Sequence, residues 1–214
     1  MEVSSPEWKR LIQDGAKEMG IDIDPEQTEQ CAIHAEELLR WARKINLTAI
    51  TDPAEMAVKH YLDSLAPAPW FPEELPRLLD MGTGGGFPGI PLKIYFKSMP
   101  VTLMDASRKK TNFLKHVIRM LDLEKVEVIQ TRVEDISSPR SYDIIVSRAV
   151  SNITKLCKMA SPLLAPDGTI IAFLGKEADA GKLNLADTLY DIELKPYVLP
   201  YLDLHRALAF IRKR

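Results

Sequence analysis

Asp80-Met81-Gly82-Thr83-Gly84-Gly85-Gly86-Phe87-Pro88-Gly89 follows Arg77-Leu78-Leu79 and precedes the apolar run Ile90 to Phe96. The order is a short apolar strand ending in an acid, a glycine turn, and a helix start marked by Pro88. Glycines let a backbone turn tightly and come close to a ligand. A helix start offers free N–H groups. The stretch therefore predicts a cradle for a nucleotide-type cofactor.

Strand-like runs continue outward from it at Arg77–Met81, Val101–Asp105, Val126–Gln130, Asp143–Ser147, Thr169–Leu174 and Ala207–Arg212. Helical patterns lie between most of them. Such alternation predicts an α/β fold with a parallel sheet covered by helices. The clearest helix spans 107–121: Phe113, Leu114, Val117, Ile118 and Leu121 form its apolar face, and Arg108, Asn112, Lys115 and Arg119 share the opposite one. That polar face reads as solvated, or as a basic rim beside a nucleic-acid site.

Residues 1–66 read as a helical extension. Asp24-Pro25-Glu26-Gln27 combines an N-cap, a proline at the first helical position and Gln at the third. Cys31, Ala35, Leu38, Ala42 and Ile45 then recur at helical spacing. Asp52-Pro53-Ala54-Glu55 repeats the start signal for a helix running to Leu65. Residues 67–76 open with Pro67-Ala68-Pro69-Trp70-Phe71-Pro72 and read as a linker, because proline breaks helices. Residues 77–214 then form the cofactor-binding domain.

Of the 214 residues, 46% are hydrophobic and 27% charged, the balance of an ordinary globular protein. A formal net charge of −2 argues against a broad electrostatic grip on nucleic acid, while leaving room for a local basic patch. The start, MEVSSPEWKR, has no apolar core of a secretory signal, and no apolar run is long enough to span a bilayer. Cys31 and Cys157 are far apart and lack neighbours at metal-ligand spacing, so neither a disulfide framework nor a metal site is expected. A cytoplasmic protein without membrane association is expected.

Two cofactor classes compete for the glycine loop. Gly84-x-Gly86-x-x-Gly89 satisfies the dinucleotide pattern G-x-G-x-x-G, although counting from Gly82 puts Phe87 where that pattern needs glycine. S-adenosylmethionine-dependent methyltransferases have a loop resembling D/E-x-G-x-G-x-G, and Asp80, Gly82, Gly84 and Gly86 fit it in register. A carboxylate such as that of Asp80 can meet the ammonium group of that cofactor. Asp105 ends the second strand, where a carboxylate accepts both ribose hydroxyl protons in either class. Arg132-Val133-Glu134-Asp135 follows the third strand, where the backbone can read an adenine edge. Arg148 follows the fourth strand and should face the pocket mouth, since ligands in open α/β sheets bind at the carboxyl ends of strands.

These residues resemble one family, the small-subunit ribosomal RNA guanine-N7 methyltransferases called RsmG or GidB. The matching pieces are Asn46-Leu47-Thr48, His60-Tyr61-Leu62-Asp63-Ser64-Leu65, Leu79 through Leu92, Arg132-Val133-Glu134 and Ser147-Arg148-Ala149. Phe87-Pro88-Gly89-Ile90-Pro91 is far more specific than the glycines alone. The resemblance implies a class I methyltransferase fold: Rossmann-like, mostly parallel, with an antiparallel last strand and an N-terminal helical extension. It implies S-adenosylmethionine contacts at Gly82, Phe87, Val133, Glu134 and Arg148. The implied substrate is a guanine in a loop of 16S rRNA, in the small subunit or an assembly intermediate. Separately, a monomer is expected. The family commonly has Asp-Ser-x-x-Lys where this chain has Ala106 in the serine place, and His205-Arg206 stands where it often has Arg-His.

Guanine N7 has a free lone pair, so its methylation needs no general base; positioning carries the catalysis. No catalytic base is therefore assigned, and Arg148 is the candidate for orienting cofactor or guanine. His60 and Ser64 lie four apart on one helix face and read as packing between the extension and the sheet domain. Two alternatives stand beside this reading. One is an NAD-linked oxidoreductase, for which the chain lacks room for a usual substrate domain. The other is a non-catalytic RNA-binding or assembly protein on a methyltransferase scaffold.

Overall fold

The computed structural model describes residues 1–136, 141–148, 152–175 and 189–214, with the side chain of Glu134 excepted. Ala149 of the expected Ser147-Arg148-Ala149 motif lies outside the described residues.

Asp24 caps α2 (Pro25–Ala42) as its sequence predicts: its carboxylate accepts from the Gln27 N–H at 2.7 Å, and Gln27 Oε1 accepts from the Asp24 N–H at 2.9 Å. The Gln27 amide also donates to the carbonyls of Ile94 and Tyr95, fastening α2 to the end of α5 (Gly89–Tyr95). In α1 (Pro6–Glu18), the buried Trp8 indole donates to the Pro53 carbonyl at 2.8 Å and meets Tyr61 edge-on. The helix expected from Asp52 to Leu65 is a composite. It starts as α3 (Pro53–Met56), widens to a π-helical stretch (Ala57–Leu62) and closes as α4 (Asp63–Leu65). Periodicity cannot show this, because a widened turn shifts which residues share a face without changing composition. The expected linker begins with a short 3₁₀ turn, Ala68–Trp70.

Among the described residues, seven strands form one sheet: β1 (Leu78–Met81), β2 (Val101–Asp105), β3 (Val126–Gln130), β4 (Tyr142–Ser147), β5 (Leu164–Leu174), β6 (Tyr190–Leu199) and β7 (Leu204–Lys213). Their order is β3-β2-β1-β4-β5-β7-β6, parallel from β3 to β5, with β7 antiparallel to both its neighbours. The antiparallel last strand is as expected. β6 is an addition to the expected strands. It is an edge strand whose charged Asp191, Glu193 and Lys195 and whose Pro196 mask its pattern, and proline is tolerated at an edge.

Alternate residues of β1 serve opposite faces of the sheet. Leu78 joins a core shared with α1, α2, the composite helix, α5 and α6 (Arg108–Met120). Leu79 and Met81 join a second core with α7 (Ile153–Ala160). The extension and one face of the sheet thus bury a common apolar interior. Cys31 and Cys157 are buried and unpaired thiols.

Candidate cofactor site

β1, β2 and β4 end together, and the loops that leave them enclose a cavity of about 340 Å³. Its walls come from Met81 and Gly82 after β1, Met104, Asp105 and Ala106 after β2, Thr131 to Val133 after β3, Ser147 and Arg148 after β4, and Asn152, Lys155, Leu156 and Met159 on α7. Four expected residues, Gly82, Asp105, Val133 and Arg148, therefore meet at one cavity. Glu134 follows Val133 in a short 3₁₀ turn, Val133–Asp135.

The glycine loop divides its work. Gly82 has φ +78°, and a β-carbon there would enter open space against the cavity. A β-carbon at Gly86 would lie 2.4 Å from Ile90 Cδ1, so this glycine lets α5 pack close. The Gly84 N–H donates to Asp105 Oδ2 at 3.1 Å, and the Ser107 N–H donates to Oδ1 at 2.8 Å. Two backbone donors thus orient the Asp105 carboxylate at the cavity wall.

Asp80, Gly86 and Phe87 are placed behind the loop. Asp80 is fully buried, and its Oδ2 accepts from the Thr83 hydroxyl at 2.6 Å and the Gly89 N–H at 2.7 Å. Those bonds pin both ends of the turn. Burial pushes this carboxyl up to about 7, against the lowering effect of the two bonds. Its Oδ1 is buried with no partner among the described residues. The Phe87 ring stacks on His60 at 4.4 Å and 12° and packs against His34 and Tyr61.

His34 reaches the loop from α2. Its Nε2 lies 2.9 Å from the Gly85 carbonyl and its Nδ1 3.2 Å from the Tyr61 hydroxyl. A carbonyl only accepts, so Nε2 carries the proton, and Nδ1 accepts from Tyr61. Complete burial pushes this imidazole down to about 4. The unfolded chain takes a proton near 6.5 that the folded chain refuses, so this contribution to stability is lost as pH falls from 6.5 toward 4. His34→Gln keeps a donor for Gly85 and removes the titration. Its deficit against wild type should shrink by about 2 kcal/mol between pH 7 and pH 5 in denaturant melts. Parallel pH profiles for the two proteins would refute a neutral buried His34.

Arg148 is the hub between cavity and extension. Its Nη2 donates to the Lys59 carbonyl at 2.8 Å and meets Asp63 Oδ2 at 3.1 Å; its Nη1 donates to Ser64 Oγ at 3.2 Å. The guanidinium carbon stands 5.8 Å from the Phe87 ring centre, on which a cation is favoured. Asp63 Oδ1 accepts from the Tyr197 hydroxyl of β6 at 2.6 Å. His60 bonds Thr48 Oγ1 at 2.7 Å and is pushed down to about 3, by burial first and then by the Arg148 charge. The expected packing role of His60 and Ser64 agrees with these contacts.

Ser147, expected only as the end of the fourth strand and part of a motif, also lines the cavity, its hydroxyl donating to the Met81 carbonyl; the α7 residues Asn152, Lys155, Leu156 and Met159 are not among the expected site residues. Asn152 carries one local signal, as N-cap of α7 accepting from the Lys155 N–H at 2.8 Å. The others face the cavity only because α7 crosses the strand ends.

Residues present fit a nucleoside cofactor. The cavity has the size of a small-molecule site. Gly82 leaves room for close approach, Asp105 presents an oriented carboxylate, and Met81, Met104, Leu156 and Met159 give apolar walls.

Comparison with known proteins agrees with an S-adenosylmethionine-type cofactor. A family model described as rRNA small subunit methyltransferase G matches residues 27–201. "Ribosomal RNA small subunit methyltransferase G" of Geobacter sulfurreducens is 42% identical over 209 residues, covering 94% of this chain and 96% of its own. The fold is similar to a SAM-dependent methyltransferase from Aquifex aeolicus, with TM-score 0.59 at 17% identity, covering 75% of this chain and 94% of that one. It is also similar to M. jannaschii TYW2 in complex with AdoMet, with TM-score 0.57 at 16% identity, covering 81% and 80%. Neither the oxidoreductase nor the non-catalytic alternative is favoured by these matches.

Proposed function

The chain belongs to the rRNA small subunit methyltransferase G family, and on that premise we propose that it methylates N7 of a guanine in a loop of 16S rRNA, with S-adenosylmethionine as donor. The observation that carries the N7 assignment is the make-up of the cavity. Its titratable side chains among the described residues are Asp105, Arg132, Arg148 and Lys155, with no histidine or tyrosine beside them. Asp105 is already oriented by two backbone N–H groups, and the other three are cations. Such a lining suits a nucleophile with no proton to lose.

S-adenosylmethionine supplies a methyl group on a positively charged sulfur, open to in-line displacement by a lone pair. Asp105 would accept from its ribose hydroxyls, and Gly82 would let the backbone approach it. The backbone of Val133 and Glu134 would border its base. Arg148 would orient its carboxylate or the incoming guanine. Asp80, Gly84, Gly86 and Phe87 keep the loop in shape for that contact. Holding the two reactants in line is then the main catalytic contribution.

Small subunits from a strain lacking this protein, incubated with the purified protein and labelled S-adenosylmethionine, should yield 7-methylguanosine on digestion to nucleosides and mass spectrometry. A different methylated nucleoside, or none, refutes the assignment.

A further inference from the structure

Helix α6 begins immediately beyond the cavity residues Asp105 and Ala106. It carries Arg108, Lys109, Lys110, Lys115 and Arg119 and no acidic residue, in a chain whose formal net charge is −2. Three of these cations occupy its first turn, where the helix dipole disfavours positive charge. Lys115 and Arg119 lie four apart on the same face, a like-charge spacing that also costs stability. Helical stability alone would place glutamates at such positions.

The carboxyl end of α2 adds to this face. Trp41 packs on Phe113 at 5.6 Å and on His116 at 5.5 Å, which brings Arg40 and Lys44 beside α6, with Arg43 exposed at the C-cap of α2 between them in sequence. Between the two helices runs a groove of about 330 Å³ lined by Glu37, Arg40, Trp41, Lys44 and His116. Glu37, the acid in that lining, is engaged by His116 at 2.8 Å and Arg40 at 3.3 Å. Arg43, Lys44, Arg108, Lys109, Lys115 and Arg119 are exposed and make no ion pair with described residues.

We infer that this face, formed by α6 and the end of α2, is a docking surface for the phosphate backbone of the RNA substrate, separate from the cavity that holds the cofactor. The inference rests on the rRNA reading above for the identity of the partner. Charge complementarity selects RNA: a polyanion would relieve the uncompensated repulsion and recover the dipole cost. Trp41 supplies an apolar wall beside the cations, a combination suited to single-stranded or looped RNA. Since α6 starts at the cavity edge, a strand held here is led toward the reacting centre.

The test is a charge-reversed variant, Arg43→Glu, Lys44→Glu, Lys115→Glu and Arg119→Glu, none of which lines the cavity. Binding to 16S rRNA is followed by fluorescence anisotropy across a salt series, and methyl transfer to small subunits by steady-state kinetics. The expected results are RNA affinity weaker by about tenfold or more and a log–log salt slope shallower by about 0.7 per cation removed. KM for subunits should rise in step, with kcat and S-adenosylmethionine affinity unchanged. Should the variant fail to fold, the corresponding glutamine substitutions are expected to move the same quantities in the same direction. Unchanged RNA affinity and salt slope overturn the inference, including the case where only subunit binding falls, which would assign the face to a protein partner. A wild-type protein that binds rRNA through this face but yields no 7-methylguanosine refutes the proposed reaction and leaves the docking surface standing.

Discussion

Gly82→Val is expected to weaken S-adenosylmethionine binding on the order of 100-fold in a chain that still folds. Two effects add. The residue sits at φ +78°, where a β-branched side chain is strained by about 1–2 kcal/mol. Its β-carbon would meet no protein atom within 4 Å, so the isopropyl group would stand in the cavity itself. Affinity should fall on the order of 100-fold, about 3 kcal/mol, in calorimetry. At cofactor concentrations a few times the wild-type Kd, the wild-type melting temperature should rise while that of the variant stays nearly flat, because stabilisation follows ligand concentration relative to Kd. Gly82→Ala keeps the strain with less bulk and should fall between. A folded Gly82→Val protein with wild-type affinity would show that the cofactor lies elsewhere.

Arg148→Met is expected to cost the fold about 3–5 kcal/mol, because it leaves a buried carboxylate without its cation. Asp63 is 5% exposed and, among the described residues, would keep only the Tyr197 hydroxyl. The Lys59 carbonyl and Ser64 hydroxyl would lose donors as well. At about 2–4 °C per kcal/mol for a chain of this size, the melting temperature should drop by roughly 10 °C. Adding Asp63→Asn removes the stranded charge and retains an acceptor for Tyr197. The double variant should recover about 2 kcal/mol relative to additivity. Additive single effects would mean that the pair contributes nothing as a pair.

What the sequence disclosed was local. The strand–glycine–helix junction at Leu78 to Ile90 announces itself through composition within a dozen residues, as does the cap at Asp24. β2, β3 and the start of α6 follow from short-range periodicity. What stayed hidden needed distant partners. Asp63, Arg148 and Tyr197 stand far apart in the chain, and no pattern in any one segment joins them. Asp80 resembles a ligand-facing acid in sequence, yet its carboxylate is drawn inward by Thr83 and Gly89, three and nine residues on. β6 was masked because its charges and Pro196 suit an edge strand better than a central one. The basic face of α6 was visible as a pattern, but only the packing of Trp41 onto it reveals the neighbouring cations of α2.

The contacts of α2 and the composite helix with the glycine turn bear on how such a chain can be re-engineered. Leu38 lies where a β-carbon at Gly85 would touch it, His34 holds the Gly85 carbonyl, and His60 stacks on Phe87. The amino-terminal helices are therefore part of the mould that shapes the cradle. A chimera that grafts residues 77–214 onto another leader inherits the loop without its mould, so His34, Leu38, His60 and Tyr61 would have to travel with Gly85 and Phe87 as one transplantable unit.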